Sequence, residues 1–171
     1  MVIIFMSATI IDDPRLRNRT GVFEDRNEAG KFLAQSLENL RGENAIVLAI
    51  PSGGVPIGLA ISPFLHLPFD LLIIRKIPIP GNTEAGLGAI SLDGDLILNE
   101  SIVRMLGLSQ EQIEVLAKPV REELRARSRI FRGDRPLPYL KGKVVILADD
   151  GLASGYTMLT AARTARKKKP A

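Results

Sequence analysis

The stretch VVILADDGLASGYTM, residues 144–158, decides how the rest of the sequence is interpreted. Its apolar start predicts a strand buried on both faces. Two acids follow, and a loop of small residues then leads into a helix. Ser154 and Thr157 supply hydroxyl donors in that loop, and Gly155 allows a ligand to approach the backbone closely. Because the first N–H groups of a helix are unpaired and the helix dipole is positive there, the loop favours an anion such as a phosphate monoester.

The two acids, Asp149 and Asp150, stand directly before this loop. Carboxylates accept hydrogen bonds from vicinal hydroxyls such as the 2′ and 3′ groups of a ribose. A phosphate on the helix and a diol on the acids together predict a site for ribose 5-phosphate. Read alone, the acids are also compatible with a strand-end turn. Adjacent residues of a strand point to different sides, so the two acids make a poor acid–base pair for glycoside hydrolysis.

Buried strands alternate with helices along the chain. Strands are predicted at 45–50, 71–74 and 144–148, and helices at 25–40, 55–65, 109–129 and 157–169. This order predicts right-handed βαβ units and an α/β fold, with a mostly parallel twisted sheet and helices on both faces. Asp93-Gly94 between short apolar runs predicts an inserted β-hairpin. Residues 77–88 contain three glycines and two prolines, which predicts a flexible loop beside that hairpin.

A second glycine-containing loop, in IPSGGVP at residues 50–56, follows the first predicted strand. Ligands of open parallel sheets bind beyond the carboxyl ends of the strands. We therefore expect Ile50 and Ala148 to end neighbouring strands and the two loops to face one crevice. Two loops that can each bind an anion predict a ligand with two phosphate groups. Two basic residues, Arg75 and Lys76, follow the predicted strand at 71–74.

With these residues in view, the sequence resembles the type I phosphoribosyltransferases over residues 20–166. Residues 144–158 resemble the donor-binding signature of that family, IPSGGVP its pyrophosphate loop, and LIIRK at 72–76 the strand that delivers basic residues. Residues 23–30 and 80–84 resemble a bacterial and archaeal branch of predicted phosphoribosyltransferases. Gly151 departs from the signature, because the better-known members carry a branched apolar residue there.

The resemblance implies transfer of a phosphoribosyl group from phosphoribosyl pyrophosphate to a nitrogen acceptor such as a nucleobase, with Mg²⁺ as cofactor. It implies catalytic roles for Arg75, Lys76 and Asp150, and contact of Mg²⁺ with Asp149 and Asp150 through substrate or water. The implied substrate-binding residues are Ser52, Gly53, Gly54, Asp149, Asp150, Gly151, Ala153, Ser154, Gly155, Tyr156 and Thr157. No general base is identified, because Ala153 stands where some members have an aspartate.

We expect one domain over residues 1–171, with 1–22 as an N-terminal extension and a C-terminus that looks shortened, so the acceptor pocket cannot be read. The sequence contains no cysteine, which excludes disulfides and thiolate sites and fits a cytoplasmic protein. No apolar run approaches the ~18 residues of a membrane span.

The net charge of +4 suits a small anion or a nucleic acid. The alternative function is therefore a non-catalytic regulator that binds phosphoribosyl pyrophosphate together with nucleic acid or protein. A ribose-phosphate hydrolase on the same scaffold is a third interpretation, and a homodimer is compatible with each.

Overall fold

The computed structural model of the protein describes residues 12–79, 82–133 and 135–171, and the side chains of these residues except 82–85. The helices are α1 (Arg26–Ser36), α2 (Gly54–Leu65), α3 (Glu100–Leu106), α4 (Gln110–Arg132) and α5 (Tyr156–Lys167). The strands are β1 (Ala45–Ala49), β2 (Phe69–Leu71), β3 (Ile74–Ile79), β4 (Asn82–Ser91), β5 (Leu96–Leu98) and β6 (Val144–Ala148).

A parallel sheet of order β2-β1-β6 forms the centre of the fold. Every residue of β1 is buried, which explains its continuous apolar sequence. Alternate side chains of β1 pack to opposite sides: Val47 lies in a cluster with α1 and α2, and Leu48 lies in one with α5. The predicted α/β class, with helices on both faces of a parallel sheet, is confirmed.

An antiparallel sheet of order β3-β4-β5 stands beside the first. The predicted hairpin is confirmed, because β4 pairs with β5 across a turn in which Gly94 has a φ of 87°. Over residues 77–88 the structure differs from the predicted loop, since β3 and β4 pair there and Ile77 and Leu87 are fully buried beneath α4. The apolar residues of this segment favour buried, paired strands more strongly than its glycines and prolines favour a loop. Residues 80 and 81 lie outside the described residues.

The predicted strand at 71–74 is divided between the two sheets. β2 ends at Leu71 beside β1, and β3 begins at Ile74 beside β4. A continuous apolar run cannot reveal this change of partner, because both segments are buried. The short helix α3 was not predicted.

The predicted N-cap residues of α1 and α4, Asp25 and Ser109, are confirmed. The Asp25 side chain accepts a hydrogen bond from the Glu28 N–H at 2.8 Å, and Ser109 forms a capping box with Gln112. Helix α1 ends at Ser36, and a 3₁₀ turn continues to Leu40. None of the described helices is both long enough and apolar enough to cross a bilayer.

A buried carboxylate connects the hairpin to α5. The Asp95 side chain is almost completely buried, accepts a hydrogen bond from Thr164 Oγ1 at 3.0 Å, and is paired with the Lys167 ammonium. Burial raises the pKa of Asp95, but the hydrogen bonds from Lys167 and Thr164 outweigh it, so that the net shift is downward. Ionised Asp95 therefore stabilises the contact between the hairpin and α5.

We predict that Asp95→Ala lowers the free energy of unfolding by about 1.5–3 kcal/mol at neutral pH, because it removes hydrogen bonds to a charged group. Asp93→Ala is the control, since the Asp93–Lys168 pair is largely exposed and is expected to contribute about 0–1 kcal/mol. Urea titrations measure both variants.

The folded pKa of Asp95 lies below the ordinary value of 3.8, so its contribution is complete above that value and disappears as the pH falls through the folded pKa. The difference between wild type and Asp95→Ala should therefore narrow as the pH falls below about 4. Equal losses for the two variants at neutral pH would contradict this role of Asp95.

Candidate active site

The two loops predicted to meet do begin at one edge of the parallel sheet. Strands β1 and β6 pair in register, with Ala49 opposite Ala148, and the Ile50 N–H donates to the Ala148 carbonyl at 2.9 Å. The chain therefore leaves both strands side by side. The predicted neighbourhood of Ile50 and Ala148 is confirmed.

Glycine is required where the loops touch. A Cβ atom on Gly53 would lie 2.0 Å from Asp150 Oδ2, and one on Gly54 would lie 2.3 Å from the Ala148 carbonyl oxygen. A side chain at Gly54 would collide with backbone, and one at Gly53 would require the Asp150 carboxylate to move away. The first loop is thus packed directly against the acids that follow β6, and the Pro51–Ser52 peptide bond within it is cis.

The two acids have different surroundings. Asp149 is partly buried, and its Oδ1 accepts a hydrogen bond from the Asp150 N–H at 2.9 Å. Burial and the charge of Asp150 raise the pKa of Asp149, although the hydrogen bond from the Asp150 N–H lowers it. Asp150 is exposed at the loop surface. The pair therefore presents one shielded and one accessible carboxylate.

Arg26 is a site residue that the sequence prediction missed. Its Nε and Nη2 both lie 2.8 Å from Asp150 Oδ2. Since Asp25 caps α1, Arg26 is the first residue of that helix, and the cap fixes where its side chain begins. The available signal was the resemblance of residues 23–30 to family members, which does not itself indicate a contact with Asp150.

The predicted phosphate loop lies next to the acids. Residues 151–154 are exposed, and Gly155, with a φ of 77°, precedes the first residue of α5. No side chain of the described residues caps this helix, so its first N–H groups can meet an anion. Thr157 is partly buried, whereas Tyr156 packs against the core cluster under α5.

Arg75 and Lys76 are adjacent on β3 and therefore face opposite sides of the sheet. Arg75 turns toward α4, where its Nη2 lies 2.8 Å from Glu123 Oε1. Lys76 shares a face with Ile74, which belongs to the cluster against which Tyr156 packs, and its stem lies against Gly86. The structure brings Lys76 to the α5 side of the sheet and does not bring Arg75 to the acids.

An apolar cavity of about 530 Å³ adjoins Asp149 and Asp150. Side chains from α1, α2, β6 and α5 form its walls, including Leu33, Ile57 and Met158. Within the described ranges, no group of three or more metal-binding side chains is present. The site therefore combines an anion-ready helix start, a pair of carboxylates and apolar space.

Comparisons with known proteins agree with this geometry. The family model described as "Phosphoribosyl transferase domain" matches residues 23–171. Two curated Mycobacterium tuberculosis proteins, from strains CDC 1551 and H37Rv and provisionally named phosphoribosyl transferases, are 37% identical over 145 residues. The match covers 85% of this chain and 33% of each relative, so the chain spans about a third of their length.

Among solved structures, the crystal structure of TT1426 from Thermus thermophilus superposes with a TM-score of 0.68 at 36% identity. That similarity covers 86% of this chain and 70% of TT1426. The family model covers far more than half of the sequence and includes both strand-end loops. The chain belongs to the phosphoribosyl transferase family.

Proposed function

We propose that this domain binds phosphoribosyl pyrophosphate and transfers its phosphoribosyl group to a nitrogen nucleophile such as a nucleobase. The observation that carries the proposal is the contact between the two strand-end loops, in which the absence of a side chain at Gly53 lets the Asp150 carboxylate lie directly against the backbone. Two anion-ready loops that touch at a pair of carboxylates suit a ligand with a phosphate, a diol and a pyrophosphate.

In this proposal the 5-phosphate lies at the start of α5, where Ser154 and Thr157 add hydroxyl donors. The ribose hydroxyls donate to Asp149 and Asp150. The pyrophosphate lies against the loop after β1. There the Gly54 N–H is already bonded to the Ile50 carbonyl at 3.0 Å, so Gly54 provides close approach and the preceding N–H groups provide the donors.

The residues fit Mg²⁺ only in combination with the substrate. Carboxylate oxygens are hard ligands, and Mg²⁺ commonly binds one or two of them while phosphates and water complete its shell. Asp149 and Asp150 match that pattern, and the partial burial of Asp149 beside a second negative charge favours a neighbouring cation. When bound, Mg²⁺ would neutralise charge on the pyrophosphate and the ribose oxygens.

We propose Arg26 instead of Arg75 as the arginine that serves the crevice. Charge develops on the leaving pyrophosphate as the bond to ribose breaks, and fixed cations stabilise it most when they are already in place. Arg26 is held at Asp150, whereas Arg75 is engaged with Glu123 on the other side of the sheet. Lys76 remains a proposed second cation.

We predict that Asp150→Asn weakens phosphoribosyl pyrophosphate and ribose 5-phosphate binding roughly ten- to hundred-fold, because charge-assisted hydrogen bonds to the diol are lost. Inorganic phosphate has no diol and should lose little. Thr157→Val is the matched comparison, because it removes a phosphate donor and should weaken the ligands that carry a 5-phosphate alike. Calorimetric titrations of each ligand provide the measurement.

Equal losses of all three ligands on Asp150→Asn would point to a generic anion site. Absence of donor binding by the wild-type protein would remove the proposal altogether. Where donor binding is found, a screen of candidate bases for pyrophosphate release tests the transfer itself.

We predict that Arg26→Ala lowers donor affinity about tenfold or more, by loss of a cation at the crevice. Arg75→Ala, a substitution of the same size and charge on the same chain, should change donor affinity little because that side chain faces α4. The two variants are compared by titration with phosphoribosyl pyrophosphate. A larger effect of Arg75→Ala would restore Arg75 to the site and refute our assignment.

We predict that Gly53→Ala weakens donor binding roughly ten- to hundred-fold, as Asp150→Asn does, while the sheet remains intact, since the new methyl group must displace the Asp150 carboxylate. Ser101→Ala is the control, because Ser101 is exposed on α3 and belongs to neither strand-end loop. Circular dichroism checks the fold and titration checks the site. Normal donor affinity in Gly53→Ala would show that the close contact is dispensable.

A further inference from the structure

A second cavity, of about 660 Å³, lies among cationic side chains. It is bounded by the last turns of α4, the connector at 135–140, the turn after β4 and the end of α5. Its cationic lining residues are Arg125, Arg129, Arg132, Arg135 and Lys168. Asp93 is the one acid among the described lining residues, and it is paired with Lys168 at 2.8 Å. A net positive charge from the arginines therefore remains.

Arg132 is the buried member of this group, with 5% of its surface exposed. Its Nη1 donates to the Leu71 carbonyl at 2.9 Å, and its Nη2 lies 3.2 Å from Asp70 Oδ2. Its Nε is buried and has no acceptor among the described residues. This nitrogen is shielded from the cavity, so Arg132 contributes positive charge beneath the cavity wall and the contacts with a ligand fall to the exposed arginines.

Arg125 and Arg129 extend the positive charge along one face of α4, since residues three and four apart on a helix are neighbours. Both are exposed, and neither has an ion-pair or hydrogen-bond partner for its side chain in the described part of the chain. Like charges at this spacing repel one another. A bound anion would relieve the repulsion, and guanidinium groups match phosphate oxygens in a two-point geometry.

Part of the cavity wall is apolar. Leu72, Leu92, Leu137, Pro138 and Tyr139 line it. Such a wall suits a flat ring better than a second layer of phosphates. The cavity volume lies within the range of about 300–1,000 Å³ that small-molecule sites occupy.

This cavity is separate from the acidic crevice. Its lining contains no residue of the loops at 52–54 and 149–157. Lys168 follows Tyr156 by twelve residues at the far end of α5. At a rise of ~1.5 Å per residue, the two ends are about 18 Å apart.

We propose that this cavity binds a nucleoside phosphate, with its phosphates on Arg125 and Arg129 and its base against the apolar wall. The ligand occupies the cavity independently of the donor crevice, so the protein holds a nucleotide and a ribose phosphate at the same time. The proposal goes beyond the transferase activity and does not rest on it.

The test is titration of the protein with adenosine and guanosine mono- and triphosphates. The Arg125→Ala/Arg129→Ala double variant should lose about tenfold or more in nucleotide affinity. The matched control is Arg104→Ala/Arg166→Ala, which removes the same charge from exposed residues outside the cavity. The control should stay close to the wild type, and circular dichroism should show that both double variants are folded.

A second arm distinguishes this cavity from the donor crevice. With the donor crevice filled by saturating ribose 5-phosphate, the nucleotides should still bind, and Asp150→Asn should leave that remaining affinity unchanged. This arm is independent of the transferase proposal, because nucleotide binding is measured even if the protein binds no donor.

Four outcomes would overturn the inference. They are no nucleotide binding at about 1 mM ligand, loss of all nucleotide binding in the presence of saturating ribose 5-phosphate, equal losses in the two double variants, and much tighter binding of single-stranded RNA through the same arginines. The last result would identify a nucleic-acid surface in place of a small-molecule site.

Discussion

The pairing of β1 with β6 is the constraint on which the site depends. It sets the ends of two distant segments side by side, places Gly53 against the Asp150 carboxylate, and leaves no room for a side chain at Gly54 beside the Ala148 carbonyl. The acids after β6 therefore lie directly against the backbone of the loop after β1. The two loops form one crevice because the main chain at Gly53 packs against the Asp150 carboxylate.

Helix capping adds a second level of order. Asp25 fixes the beginning of α1, and the first residue of that helix, Arg26, is then presented to Asp150 from a segment 124 residues earlier in the sequence. A capping residue thus contributes to the site without touching the expected ligand position. Helix α5 differs, because no side chain of the described residues caps it and Gly155 leaves its first N–H groups available.

Much of this could be predicted from the sequence, because local rules govern it. Strand-end loops, the caps Asp25 and Ser109, and the turn at Asp93-Gly94 follow from patterns a few residues long. Contacts that depend on tertiary packing could not be read in this way. Arg75 pairs with Glu123, and Arg26 pairs with Asp150, because of how the helices and strands pack together. The same packing determines that the chain leaves the parallel sheet after Leu71.

The irregular part of the β3–β4 pairing has a consequence for how this region tolerates changes in length. The register is regular from Ile74 to Ile77 and shifts on either side of Pro78. A one-residue slip in the regular part would exchange the faces of Arg75 and Lys76. An insertion or deletion beyond Pro78 would instead be absorbed where the register is already broken. A change of length at that end of the β3–β4 pair would therefore leave both cations in their present orientation.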